Sequence, residues 1–406
     1  MSDTRKTTKP NVPNLRFPGF EGEWARCTLG EIGEPYIGLT YSPADVVSEG
    51  GTIVFRSSNI QNGEIDYSDI VRVNKIIKDS IITRKDDLLI CARNGSPRLI
   101  GKNALLKEAD EGQTFGAFML VFRSNDNHFV HQLLCTKGYN SQVSENLGAR
   151  INQITTSNIR DFEFCFPQST AERNKIAGFL DLIDERIAVQ SRLIDRLQSL
   201  MIGLNNSLYE QYGNDITTSF MELGYSYSGL SGKSAKDFGS GKPFITYLNV
   251  YSNIIVDETD YQYVRINDGE KQNIVRTGDV LFTLSSETPE EVGIGSVYLG
   301  EKEVYLNSFC FGIHIERNQL AYSPYLSYYV TSTAFRKFIY PFAQGSTRFN
   351  LCKADFEKAS IKLPSLDNQK RISAMLDCIA EKIRAEKAIL EYYNIQRQYL
   401  LRQMFI

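Results

Sequence analysis

Two stretches of the chain place apolar residues at alternating steps of four and three. The first runs Ile176, Leu180, Ile183, Ile187, Ile194, Leu197, Met201, Leu204 and Leu208, with only Gln190 polar in the series. The second runs Ile372, Leu376, Ile379, Ile383, Leu390, Tyr393, Leu400 and Met404, with Glu386 and Arg397 as exceptions. This spacing predicts two long helices, each with one apolar seam. A helix over 171–209 spans roughly 60 Å at about 1.5 Å per residue, enough to hold two globular domains apart. Each seam needs a cover, and the other helix of the same chain is the most economical one; homodimerisation and plain core packing also fit heptads of this kind.

Outside the helices the apolar runs are short, as in sheets, and they come twice in the same order, which dictates architecture before any chemistry. Each half opens with Leu-Gly and a Tyr-x-Gly-Leu turn: Leu29, Gly30, Tyr36, Gly38, Leu39, and Leu223, Gly224, Tyr227, Gly229, Leu230. An aromatic strand with a polar tip follows, ending in Arg56, Ser57, Ser58, Asn59 in one half and Thr246, Tyr247, Leu248, Asn249 in the other. Next come Arg72-Val73-Asn74 and Arg265-Ile266-Asn267. Acidic turns at Asp87 and Asp279 then feed buried strands that lead into polar loops. Each half closes on a glycine followed by Arg-x-Asn, at Arg150 and Asn152 and at Arg348 and Asn350, then a short strand ended by Pro167 or Pro364. The expected divisions are 1–23, 24–166, 167–210, 211–363 and 364–406.

Composition adds limits. A chain of 406 residues, 42% hydrophobic and 23% charged, is too long for one ordinary core and suits two domains with accessories. No apolar run reaches bilayer-spanning length, and 1–13 is polar and basic without the apolar centre of a secretory signal, so a cytoplasmic location is the default expectation. The seven cysteines are scattered and never form Cys-x-x-Cys, which suggests neither a disulfide framework nor a zinc knuckle. A net charge of -3 argues against a lone DNA-binding domain, because neutralising phosphates needs excess Lys and Arg. DNA binding would rest on local basic loops and on partner subunits.

Domain, long helix, domain, long helix, led in by Leu15-Arg16-Phe17-Pro18-Gly19-Phe20 and Trp24, resembles the specificity subunit of type I restriction-modification systems over nearly the whole chain. The resemblance implies an α+β protein: two globular target-recognition domains of mixed α/β structure, the helices pairing as an antiparallel coiled coil. It implies that each domain reads one half of a bipartite target in double-stranded DNA, and that the helices act as a ruler and dock two modification subunits. It further implies no catalysis and no cofactor in this chain, with S-adenosylmethionine, ATP and magnesium belonging to modification and restriction partners. The lead-in segment has no counterpart in the second half.

A major-groove reader needs bidentate donors and acceptors on loops. Arg93 and Asn94, with Arg98 and Lys102, fit that need in the first half; Ser285 and Ser286 occupy the matching loop of the second, flanked by Glu287, Glu290 and Glu291. Arg150, Asn152 and Gln153, and Thr347, Arg348 and Asn350, are the better candidates, since a preceding glycine lets backbone approach DNA closely. The strand tips Arg56, Ser58, Asn59, Tyr247 and Asn249 come next, and Lys233, Lys236 and Lys242 are candidate phosphate contacts. Solvated loops, capped turns and ordinary sheet polarity fit the same residues.

The lysine-rich stretch is not a P-loop. Tyr227 stands where the first glycine is required, and Pro243 follows Lys242 where a magnesium-binding Ser or Thr is required. Of the three histidines, His128 and His131 belong at a helix start. No Asn-Pro-Pro-aromatic or Asp-Pro-Pro-aromatic tetrapeptide occurs. The rival readings are a coiled-coil scaffold with two protein-binding domains, which leaves the duplicated Arg-x-Asn tips unexplained, and a nuclease or nucleotide-dependent enzyme, which the failed motifs disfavour.

Overall fold

The computed structural model of the chain describes residues 11–147 and 152–406. It divides into two compact units, one formed by 1–191 with 389–406 and the other by 192–388. Both long helices form, Thr170–Tyr212 and Leu366–Met404. Each contributes one part to each unit.

In the first unit a four-stranded antiparallel sheet runs in the order Glu34–Ile37, Met119–Arg123, Leu88–Cys91, Asn103–Leu105. The second unit repeats it as Gly224–Ser228, Cys310–Ile315, Val280–Thr283, Gly295–Val297. Even the register agrees: Val121 lies between Tyr36 and Leu89, and Gly312 between Tyr227 and Leu281. A smaller sheet in each unit holds a parallel pair, Thr114–Phe115 with Thr52–Phe55 and Tyr305–Leu306 with Phe238–Ile245. The repeated Tyr-x-Gly-Leu landmark has a steric cause. A Cβ on Gly38 would fall 2.3 Å from the Gly116 carbonyl oxygen, and one on Gly229 2.0 Å from that of Asn307, so only glycine fits.

The acidic turns are structural in both units. The carboxylate of Asp87 accepts Arg123 Nε at 2.8 Å and Nη2 at 2.9 Å. That of Asp279 accepts the Tyr227 hydroxyl at 2.6 Å and lies 2.8 Å from His314 Nδ1. Each also caps its own turn through the amide of Arg84 or Arg276. Burial pushes the Asp279 carboxyl above its ordinary pKa.

The helix seams are covered within the units and do more than pair. In the first unit Ile176, Ala177 and Leu180 join Leu400, Leu401, Met404 and Phe405 in one core with Trp24, Phe129 and Phe166, and Ile183 packs against it. In the second, Ile372 and Leu376 are buried with Phe220, Tyr325 and Tyr329, while Met201, Leu204 and Leu208 pack on them. The start of one helix thus meets the end of the other, which is the antiparallel arrangement. Ile194 and Ile383 are buried, and Ile187, Leu197, Ile379 and Leu390 half-buried, as seam positions should be. Arg397, an exception in the seam, forms an ion pair with Asp184.

Helix anchoring is duplicated too. Arg173 bonds the Pro167 carbonyl and pairs with Asp126; Gln369, at the matching place, bonds the carbonyls of Pro364 and Leu320. The lead-in segment is held only in the first unit. Arg16 pairs with buried Glu172 at 2.7 Å, Phe17 meets Phe179 edge-on, and the Leu15 amide donates to the Gln403 carbonyl at 2.8 Å.

Candidate nucleic-acid interface

Each unit gathers its polar loops at one corner of the main sheet, and the backbone explains why. In the first unit the strand Leu88–Cys91 runs out into Arg93, whose backbone bridges to Gln153. Asn152 Nδ2 donates to the Gly95 carbonyl at 3.0 Å, and Asn94 Nδ2 to the Ser57 hydroxyl at 2.9 Å. The predicted Arg93, Asn94, Asn152 and Gln153 therefore meet, although they are far apart in sequence. Arg150 lies outside the described residues. Arg98, on a short 3-10 turn, is exposed, and Lys102 is half-buried.

In the second unit the corner is a hairpin, Ala343–Gly345 with Phe349–Leu351, laid against Ser285–Ser286. Thr347 and Arg348 form its exposed tip, and Asn350 pairs in register with Ser285. The Tyr247 hydroxyl donates to the Ser285 carbonyl at 2.9 Å. Glu291, which flanks this loop in sequence, accepts the hydroxyls of Tyr251 at 2.7 Å and Ser286 at 3.0 Å, and these bonds hold its carboxyl below the usual range. A fixed carboxylate can accept from a cytosine amine, as an arginine donates to guanine.

Several predicted contacts are committed elsewhere. Both aromatic strands stop earlier than expected, at Phe55 and Ile245, and their polar tips fold into a 3-10 turn and a short helix. Asn59 is fully buried, and its amide donates to the carbonyls of Asp66 and Asp69, both at 2.9 Å. Asn249 does the same with Asp257 and Asp260. These asparagines pin loops and are not base readers. Lys233 is buried against the Glu270 carboxylate and the Arg265 carbonyl, which removes it as a phosphate contact. Arg56 pairs with Asp69 at 2.7 Å, and the Ser286 hydroxyl is spent on Glu291. Ser58, Lys236 and Lys242 are exposed.

Sequence reasoning missed two aromatic residues. Phe118 and Phe309 are each 56% exposed at the same corner of their units. The Arg93 guanidinium lies 4.8 Å from the Phe118 ring centroid and that of Arg348 6.0 Å from the Phe309 centroid.

Two quasi-equivalent α+β domains on antiparallel helices, each with a loop corner of arginine, amide and exposed aromatic groups, define a class of paired readers. The family described as the type I restriction modification DNA specificity domain matches residues 21–199 and 230–392, and the chain belongs to that family. Among individual proteins it is similar to the specificity subunit of the type I restriction enzyme EcoKI of Escherichia coli K12, 26% identical over 297 residues, covering 67% of this chain and 63% of that subunit. It is also similar to the StySPI specificity subunit of Salmonella potsdam, 26% identical over 186 residues, 44% of this chain and 40% of that one. The matches thus span less than two thirds of either relative. In fold it is similar to the S subunit of a type I restriction-modification system from M. genitalium, with a TM-score of 0.57 and 17% identity over 97% of this chain and 99% of that one. A chain from a structure addressing complex assembly and conformational transition of the type I R-M system gives 0.56 and 18%, over 96% and 98%.

Proposed function

We propose that the chain is the non-catalytic, sequence-reading subunit of a type I restriction-modification complex, each domain reading one half of a bipartite double-stranded DNA target. The observation that carries this reading is the duplicated corner: in a chain of this family, two separate routes of the backbone bring an arginine and an exposed phenylalanine together beside an amide side chain. Arg93 and Arg348 are the base-reading donors, with Asn152, Gln153, Asn350, Thr347 and Glu291 around them. Arg98, Lys102, Lys236 and Lys242 supply phosphate contacts.

The outer helix faces are the docking surfaces for two modification subunits. Leu182, Val189, Tyr392, Ile395 and Tyr399 are half or more exposed in the first unit, and Leu200 and Met375 in the second, although the inner seams are covered. Those partners, with restriction subunits, bring S-adenosylmethionine, ATP and magnesium. No described helix is long and apolar enough to cross a membrane, and the complex works in the cytoplasm.

The test is to express the chain with its modification partners, map methylated sites, and repeat with Arg348→Ala. Loss of one bidentate contact costs about 1 to 3 kcal/mol of discrimination, so degeneracy should appear in one half-site only. A complex with no sequence preference in methylation or binding at any salt concentration would overturn the reading.

A further inference from the structure

Phe118 and Phe309 hold the same position twice. Each is the third residue of a four-residue turn, Gly116 to Met119 and Asn307 to Cys310, closed by an amide-to-carbonyl bond of 2.8 Å and 3.0 Å. Each turn follows the parallel strand of the small sheet and feeds the central strand of the main one. The Phe118 carbonyl accepts the amides of Ala92 and Arg93, both at 2.9 Å, and the Phe309 carbonyl accepts the amide of Leu284 at 2.9 Å. The backbone of each phenylalanine is therefore clamped to the reading loop. Only its ring is left to solvent.

An exposed phenyl ring gains nothing by burial in its own chain, and an apolar group displayed twice at the same point asks for an apolar partner. The neighbouring turn residues differ between the units, Gly116 and Ala117 against Asn307 and Ser308, yet the phenylalanine is the same. The guanidiniums arrive by different routes, Arg93 from the end of a main-sheet strand and Arg348 from a hairpin tip. What repeats is the pairing of an aromatic face with a cation, not the element that supplies the cation. Attraction of the cation to the ring steadies the guanidinium and leaves its fork free for guanine. The apolar feature of a major-groove edge is the 5-methyl group of thymine.

We propose that Phe118 and Phe309 are specificity residues, each packing its ring against the methyl group of one thymine in the half-site its domain reads. This rests on the DNA-reading function above. The experiment uses the assembled complex and target duplexes in which each thymine is replaced singly by uracil, which removes only the methyl. One replacement per half-site should weaken wild-type binding roughly fourfold, the worth of burying about one methyl group. In Phe118→Ala the replacement in the first domain's half-site should lose its effect, and in Phe309→Ala the one in the other half-site. Phe118→Leu and Phe309→Leu should retain most of it. If no uracil replacement affects the wild type, or if its effect persists undiminished in the alanine variants, the assignment fails. Loss of assembly in Phe118→Ala with unchanged DNA discrimination in whatever complex forms would place the ring at a protein interface and also overturn it. The uracil series on the wild type does not depend on any variant folding. Failure of the DNA-reading function itself looks different: no target sequence would be preferred at all.

Discussion

At the scale of single residues, the same amide can serve a loop or a base, and burial decides which. Asn59 and Asn249 are polar tips after aromatic strands, a placement that reads as groove recognition. The chain consumes them, because both amide hydrogens are spent on carbonyls of a following loop. Asn59→Ala or Asn249→Ala should destabilise its domain by about 1 to 3 kcal/mol by removing two part-buried hydrogen bonds that pin the following loop. Thermal or urea unfolding would measure this, and the target sequence of the surviving complex should not change. A change of target without loss of stability would return these residues to the interface. Phe118 escaped notice for the opposite reason. It lies inside the apolar run from Phe115 to Phe122, where nothing in the residue types sets it apart from its buried neighbours, and the turn that begins at Gly116 swings its ring outward.

At the scale of elements, heptad spacing is a property of one helix and needs no tertiary knowledge, so both long helices and their seams were legible from the sequence. That the two domains share one architecture was legible because the chain offers each landmark twice; the order of strands within a sheet was not, because it depends on pairings between residues far apart in the chain. The burial of helix residues into the domain cores was not, because Ile176 and Ile183 look alike in a seam while their neighbours come from elsewhere. Leu180 and Leu376 are fully buried at matching places, so Leu180→Asp or Leu376→Asp should cost about 3 to 5 kcal/mol and unfold its unit. Leu182→Asp, one turn face away and 65% exposed, should leave stability intact and weaken assembly with the modification subunits. Unfolding titrations and size-exclusion of the complex would separate the two effects.

The helix Asn127–Leu133 adds a pH dependence. His128 Nδ1 lies 2.9 Å from Asp181 and Nε2 3.2 Å from Asp86, and only the imidazolium can donate to both carboxylates. The bond to Asp181 raises the His128 pKa above its ordinary value of 6.5. Its contribution to stability is complete below about pH 6.5 and is lost as pH rises through the raised value. Burial lowers the pKa of nearby His131, which works in the opposite direction, so the comparison is between wild type and His128→Asn. Their difference in stability should shrink on going from pH 6 to pH 8.5; a constant difference would show that His128 does not titrate in that window.

At the scale of the whole molecule, two separately built readers imply transplantable specificity, and the second, which lies in one continuous unit, is the one to move. The strand Ile216–Thr218 pairs with Ile361–Leu363, so the joints belong outside both, and a swap of 214–364 for the equivalent segment of a relative keeps the pair together. Such a chimera should methylate a target changed in one half and unchanged in the other. The division of the chain also bears on the order in which it can fold during synthesis. The second unit is one continuous segment, 192–388, whereas the core of the first is closed by Leu400, Leu401, Met404 and Phe405. Domains commonly fold from the N-terminus as the ribosome releases them, at about 5 to 20 residues per second. Here the earlier-made half must wait without its Phe405 contacts to Trp24 and Phe129 until 400–405 arrive, while the later-made half can close first. Nascent chains arrested after residue 388 has left the ribosome, with 389–406 missing, should resist protease across 214–364 and be cut within 24–166. The first reader would then be the part of the molecule most dependent on chaperones.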